Sequence, residues 1–310
     1  MTRNPVWITL DGPEPGPRTE AFLKETTPYG VILFARHLKS AAQVNELCQC
    51  VHEALAPEPP KIALDQEGGR VNRLAALGYS FPGASDLDGE TERTRSLASE
   101  MAGLLKDLGF DVDFAPVADL GPAFKGTGLE GRLYGEDPMV VTACCRAFLA
   151  GLAKAGVAGC LKHFPGLGGS RVDSHRALPE MPGNEEERAP HLEPYRRLSK
   201  NVPYAMVAHG SYEFLDSTVP SSLDPRSYEL LRSLGFKGYS VTDDLKMGAV
   251  SGTAELSSLV LSSLSAGASL ALWISSQEES LSTLAAVSDQ EVFLASRSRL
   301  GHPRGREAKP

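Results

Sequence analysis

The chain has 310 residues, of which 42% are hydrophobic and 23% charged, and its formal net charge is −8. This is the composition of a soluble globular enzyme able to bury a large core without metal or disulfide staples. The acidic total gives no basis for DNA or an anionic membrane as partner, and no apolar run reaches the roughly 18 residues of a membrane-crossing helix.

In chain order, Met1 to Leu10 lacks a basic segment followed by a long apolar stretch, so it reads as a short strand, Val6–Leu10, and not as a signal peptide. A cytoplasmic location is the matching expectation. Further short apolar runs predict strands at Val31–Phe34, Ile62–Leu64, Asp113–Val117, Gly159–Lys162, Tyr204–Val207, Gly238–Thr242 and Leu270–Ile274. Stretches with helical spacing lie between them. Ala41 to Leu55 precedes the third strand, Thr91 to Leu108 the fourth, Met139 to Ala155 the fifth, and Ser257 to Ala266 the eighth. Five cysteines, Cys48, Cys50, Cys144, Cys145 and Cys160, show no repeated Cys-x-x-Cys pair. They read as core thiols in a reducing compartment, and no metal is expected. From Ser296 to Pro310 the sequence is rich in Arg, Gly and Pro and poor in apolar residues. The predicted organisation is therefore a barrel domain over residues 1–295 and a polar, flexible tail over 296–310.

Eight strands alternating with helices suggest an α/β fold, a single closed (β/α)8 TIM-type barrel, which takes roughly 250 residues. An open doubly wound sheet is the competitor. Its G-x-G-x-x-G loop is missing after the first strand, where Asp11-Gly12-Pro13 stands instead. Gly166 to Ser170 is glycine-rich but follows the fifth strand and opens no clear helix, which weighs against a phosphate cradle.

Reactive side chains gather at predicted strand ends. Asp65 follows the third strand, Asp119 lies past the fourth, Lys162 and His163 end the fifth, His209 follows the sixth, and Asp243 and Asp244 end the seventh. One Asp after a strand is ordinarily a helix cap or a turn residue. Such groups after five strands form a pattern, because parallel barrels build their sites at the C-terminal strand ends. Paired carboxylates are the usual equipment for breaking a glycosidic bond, and Asp243 at a rigid strand end is a candidate nucleophile. Asp173-Ser174-His175 offers a different acid. Residues two apart in an extended loop face the same way, so the carboxylate can orient an imidazole, which titrates near ~6.5.

Several stretches together resemble glycoside hydrolase family 3, in particular its single-domain β-N-acetylglucosaminidases of peptidoglycan recycling. They are Gly30 to Arg36, Leu64 to Arg70 with Arg73, Phe114 to Asp119, Lys162 to Gly166, Asp173 to His175, Ala208-His209 and Thr242 to Met247. The resemblance implies that Asp243 is the nucleophile of a retaining enzyme, and that His175, partnered by Asp173, is the acid/base. It implies that Asp65, Arg73, Arg132, Lys162 and His163 hold and orient the sugar, and that Asp244 is structural. The implied substrate is a small carbohydrate, β-linked N-acetylglucosamine on a muropeptide fragment. No cofactor, nucleic acid or membrane is expected, and the chain is expected to act as a monomer. Leu167 departs from the pattern, which usually has histidine there; leucine offers neither a hydrogen bond nor a proton, so a change in loop packing is expected. The alternatives are a phosphorylase or another β-glycosidase of the same family, a sugar-binding protein with weakened catalysis, and a metal-dependent barrel hydrolase using His163, His175, His209 and Asp243.

Overall fold

The computed structural model describes residues 3–300. Eight parallel strands close into a barrel: β1 (Asn4–Thr9), β2 (Pro28–Ile32), β3 (Lys61–Leu64), β4 (Val112–Asp113), β5 (Ala158–Phe164), β6 (Tyr204–Val207), β7 (Tyr239–Asp244) and β8 (Leu270–Leu272). Each pairs with its neighbour in chain order, and β8 closes on β1 through Val6↔Ala271 and Trp7↔Leu272. The expected TIM-type architecture is the one found.

Nine helices surround the strands among the described residues: α1 (Pro17–Thr26), α2 (Ala41–Ala54), α3 (Thr91–Asp107), α4 (Pro138–Lys154), α5 (Glu185–Leu198), α6 (Pro225–Ser233), α7 (Leu256–Ala266), α8 (Gln277–Val287) and α9 (Glu291–Leu300). The four predicted helices coincide with α2, α3, α4 and α7 to within one residue at either end. Two of their starts are capped by short acceptors: the Ser40 side chain accepts from Gln43 N and the Asp137 side chain from Met139 N. Helix α5 escapes a pattern search because Pro190 and Pro194 lie inside it. Its start is nevertheless strong: Asn184 accepts from Glu186 N and Glu187 N, and three glutamates occupy the first turn, where the helix dipole favours negative charge.

Two predicted boundaries differ. The sequence predicts the fourth strand over Asp113–Val117, but regular pairing covers only Val112–Asp113, followed by an isolated bridge between Val117 and Lys162. Pro116 has no N–H to give to a ladder, and only its carbonyl is used, accepting from Lys162 N at 3.2 Å. The polar tail is predicted from Ser296, but α9 continues to Leu300 and buries Phe293 and Ser296. Residues 301–310 of that expected tail lie outside the described residues.

The core has two parts. Outward-facing strand residues and inward-facing helix residues form the larger one. The barrel interior is filled by a second set that includes Trp7, Ile32, Phe114, Cys160, Tyr204 and Val241. Four of the five cysteines are buried and all five are free thiols. Trp7 plugs the interior, with its ring centroid 5.1 Å from Phe114 and 5.6 Å from Tyr29. Its cross-strand partner is Gly30, and a Cβ there would stand 2.2 Å from the indole. Gly30→Ala should therefore destabilise the barrel by overpacking, by about 1–3 kcal/mol. A thermal melt followed by circular dichroism checks this; an unchanged midpoint would mean that the indole has room to move.

Candidate active site

Strand irregularities aim the polar side chains. In a regular strand successive residues point to opposite faces. Between Leu161 and Phe164, β5 takes three steps while β6 takes two, from Ala205 to Val207. The extra residue lets adjacent Lys162 and His163 both face the barrel mouth. The same shift occurs in β7 between Val241 and Asp244, against Leu270 and Leu272 of β8. There the Thr242 hydroxyl accepts from Leu272 N at 2.9 Å, and Asp243 and Asp244 both reach the mouth. Bulges of this kind commonly re-aim side chains beside active sites.

The mouth opens into a cavity of about 350 Å³, lined by the eight residues to which the resemblance gives a part in catalysis or sugar binding: Asp65, Arg73, Arg132, Lys162, His163, Asp173, His175 and Asp243. At its base lies a buried charge network. Lys162, 2% exposed, places Nζ 2.7 Å from both Asp65 Oδ1 and Glu67 Oε1. The Arg132 guanidinium grips Glu67 with both prongs, at 2.7 and 2.8 Å. Burial works against each of these charges. For Glu67, Arg132 and Lys162 outweigh it and hold the carboxyl below the ordinary range. For Lys162, Asp65 and Glu67 outweigh it and raise the ammonium. Asp65 caps no helix; besides Lys162 it meets Arg73, 3.9 Å away.

His163 stands beside this network. Its Nδ1 lies 2.7 Å from Asp119 Oδ2, and its Nε2 lies 3.5 Å from Arg132 Nη2. Asp119 is fully buried and accepts from Leu167 N at 2.7 Å as well. Burial raises its pKa, but His163 and the Leu167 N–H together outweigh burial and leave it low.

Across the cavity the two strand-end carboxylates differ. Asp243 Oδ1 accepts from Asp244 N at 2.9 Å. Desolvation disfavours its charge, yet His163 and His209 outweigh desolvation and its pKa is lowered. Asp244 Oδ1 accepts from Lys246 N and Ile274 N, each at 2.9 Å, and so ties the loop after β7 to the end of β8. Burial pushes Asp244 up to about 6, and neighbouring Asp243 adds to the rise. His209 lies buried behind them, with Nδ1 2.6 Å from Ser222 Oγ and Nε2 2.9 Å from the Asp244 carbonyl oxygen.

The Asp173–His175 pair sits on the loop after β5. The carboxylate Oδ1 is 2.8 Å from His175 Nδ1 and accepts from His175 N at 2.9 Å. The His175 side chain is 66% exposed, while Asp173 is largely covered. The loop rests on the segment after β7, where Ala249 N and Gly248 N donate to the carbonyls of Ser174 and His175, each at 3.1 Å. Gly248 permits this approach, since a Cβ there would stand 2.7 Å from the His175 carbonyl.

Leu167 takes up the histidine departure without opening the loop. Its side chain is buried in a small cluster with Val117, Leu129, Leu133 and Ala208, while its backbone N–H serves Asp119. The backbone contact needs no particular side chain. Two residues that organise the site, Glu67 and Asp119, are not among the site residues expected from the sequence. The available signal for Glu67 is its two-residue spacing from Asp65, which puts both carboxylates on one side of extended backbone. Asp119 is visible as a strand-end acid, but nothing in the sequence joins it to His163. No group of three or more His, Cys, Asp or Glu side chains is placed to hold a metal ion among the described residues. No helix among them is long and apolar enough to cross a membrane.

Fold and site define a TIM barrel whose C-terminal mouth collects carboxylates, cations and imidazoles around one pocket. The glycosyl hydrolase family 3 N-terminal domain matches residues 10–295, and the chain belongs to that family. The β-hexosaminidase LpqI of Mycobacterium tuberculosis is 37% identical over 233 residues, or 72% of this chain. The match spans 60% of that relative's length. A β-hexosaminidase of Pseudomonas aeruginosa is 34% identical over 307 residues, covering 97% of this chain and 89% of that one. The crystal structure of NagZ from Neisseria gonorrhoeae in complex with N-trifluoroacetyl-D-glucosamine superposes with a TM-score of 0.81 at 28% identity. That superposition covers 97% of this chain and 90% of the other.

Glu67→Gln should leave Lys162 and Arg132 short of a counter-charge and destabilise the fold by about 3–5 kcal/mol near neutral pH. Because the folded pKa of Glu67 is depressed, its stabilising contribution is present above its unfolded pKa of about 4.3 and fades as pH falls below it. Urea melts of both proteins across pH 3–7 should show the gap narrowing toward acid. A gap independent of pH would assign the loss to packing instead of charge.

Proposed function

We propose that this chain is a retaining exo-β-N-acetylglucosaminidase that removes the terminal sugar from small cell-wall muropeptide fragments. The observation that carries the reading is a strand-end carboxylate, Asp243, whose pKa is held low, in the same pocket as an exposed imidazole, His175, on a loop that rests on the segment after β7. In this reading Asp243 attacks the anomeric carbon while His175 protonates the departing oxygen. His175 then takes a proton from water, whose attack frees the sugar with its configuration retained. Asp173 orients the imidazole and supports its charged form. Asp65, Lys162, His163, Arg73 and Arg132 hold the sugar's hydroxyls. For Lys162, two of its three donors are engaged by Asp65 and Glu67, which leaves one for a ligand.

The pocket supports exo action, since the barrel core closes it below and its volume suits a terminal unit better than a polymer segment. The names of the relatives and the sugar derivative bound by the gonococcal protein support the hexosamine preference. Five unpaired thiols fit a reducing cytoplasm.

Turnover of an aryl β-N-acetylglucosaminide should exceed that of the matching aryl β-glucoside, and the product should be free sugar with or without phosphate. Equal rates on both glycosides would remove the 2-acetamido preference. A sugar phosphate formed in phosphate buffer would make the enzyme a phosphorylase. A fluoro sugar with a good leaving group should label Asp243, read by mass spectrometry of a digest; label on Asp244 would overturn the nucleophile. His175→Ala should nearly abolish cleavage of a disaccharide but slow glycosylation by a nitrophenyl glycoside much less, with a gap of about 10²–10⁴-fold. The nitrophenyl substrate should then show a burst as the intermediate accumulates. Equal losses on both substrates without a burst would make His175 structural.

A further inference from the structure

Helix α5 packs beneath residues 166–170, the stretch that leaves β5 and leads to the Asp173–His175 pair. Arg188 on this helix is 6% exposed, yet it makes no salt bridge among the described residues. A buried guanidinium without a carboxylate is uncommon, because desolvation is poorly repaid. Here burial lowers its pKa, although the group stays charged.

Its two terminal nitrogens donate to the loop backbone, while the buried Nε has no hydrogen-bond partner among the described residues. Nη2 donates to the Gly166 carbonyl at 2.6 Å, and Nη1 reaches the Gly168 carbonyl at a longer 3.5 Å. The Tyr212 hydroxyl donates to the same Gly166 carbonyl at 3.0 Å, and the Arg188 guanidinium lies 5.6 Å from the Tyr212 ring centroid. Between the two carbonyls, Leu167 N donates to Asp119. Gly168 fits tightly here, for a Cβ would stand 1.7 Å from the Leu120 carbonyl oxygen. Three consecutive loop residues are thus gripped by buried groups from three other parts of the chain. The far end of the loop is held through the backbone bonds of Ser174 and His175 to Ala249 and Gly248.

From this arrangement we infer that Arg188 is a positioning residue for the acid/base step: by fixing the carbonyls of Gly166 and Gly168 it sets how the loop leaves the barrel, and so where His175 stands relative to Asp243. The inference rests on His175 being the acid/base. A charged donor is suited to the task, since a hydrogen bond from an ionised group is about twice as strong as a neutral one. An apolar side chain of the same length would leave the Gly168 carbonyl without this donor and Gly166 with Tyr212 alone.

The test compares Arg188→Met, Arg188→Lys, His175→Ala and the double variant Arg188→Met/His175→Ala on a β-linked N-acetylglucosamine disaccharide and on its 4-nitrophenyl glycoside. Arg188→Met should lower turnover of the disaccharide at least ~10-fold more than the burst-phase rate on the nitrophenyl substrate, a partial copy of the loss of general acid help. A nitrophenolate burst should appear, and Arg188→Lys should restore part of the disaccharide rate. In the double variant Arg188→Met should add no further loss on the disaccharide, because residues acting through one group are not additive. Equal losses on both substrates, or full additivity with His175→Ala, would make Arg188 merely structural and overturn the inference. If Arg188→Met does not fold, Arg188→Lys and Tyr212→Phe decide, each expected to show a weaker form of the same substrate split; no split in either overturns it. Absence of a burst in His175→Ala itself would bring down the acid/base reading and this inference with it, whereas a burst there and none in the Arg188 variants removes the inference alone.

Discussion

A lysine sealed between two carboxylates underlies the site. Lys162 is closed off from solvent and meets Asp65 and Glu67 at equal distance, and Glu67 is clasped in turn by Arg132. No member tolerates burial alone. Each charge is stable there only because the others are, so the network is an all-or-none unit. It joins residues from β5, from the segment after β3 and from the long segment after β4. Those three parts of the mouth are locked together before any ligand arrives. A buried charge cluster of this kind is weak evidence for stability as such. Its value lies in fixing the donors of Lys162 and the ring of His163 in one arrangement.

The two halves of the pocket differ in rigidity. Asp243 extends from a barrel strand, backed by buried His209 and by Asp244, which pins the neighbouring loop to β8. His175 hangs from a loop with its ring open to solvent. In the proposed reaction the nucleophile must be aimed closely, because an attack trajectory tolerates little error. The proposed proton donor must also meet leaving groups of different shapes. The distribution of packing suits this division, with dense contacts under the carboxylate and mainly backbone bonds under the imidazole.

Much of the fold was legible because it rests on local signals. Eight apolar runs separated by amphipathic stretches led to the barrel, and α2, α3, α4 and α7 emerged nearly residue for residue from their spacing and caps. Helix α5 was hidden by its two prolines, and the fourth strand was overextended because Pro116 lies in an otherwise strand-like run. The eight candidate site residues proved to share one cavity, as expected of strand ends in a parallel barrel. What the sequence could not disclose was their wiring. Glu67 and Arg132 are 65 positions apart in the chain, and only closure of the barrel brings them together. The extra residues in β5 and β7 leave no mark in composition, so adjacent Lys162 and His163 would be assigned to opposite faces by periodicity alone.

The indole of Trp7 has a consequence for traffic. It fills the barrel axis with Phe114 and Tyr29 packed against it, so the pocket is a cul-de-sac and not a tunnel. Whatever enters by the mouth must leave by the mouth. In the proposed two-step reaction the group bound nearer the rim departs first, and the unit seated deeper leaves last, past the Asp173–His175 loop. The order of departure then follows from the architecture, because the deeper unit has no exit until the outer one has gone.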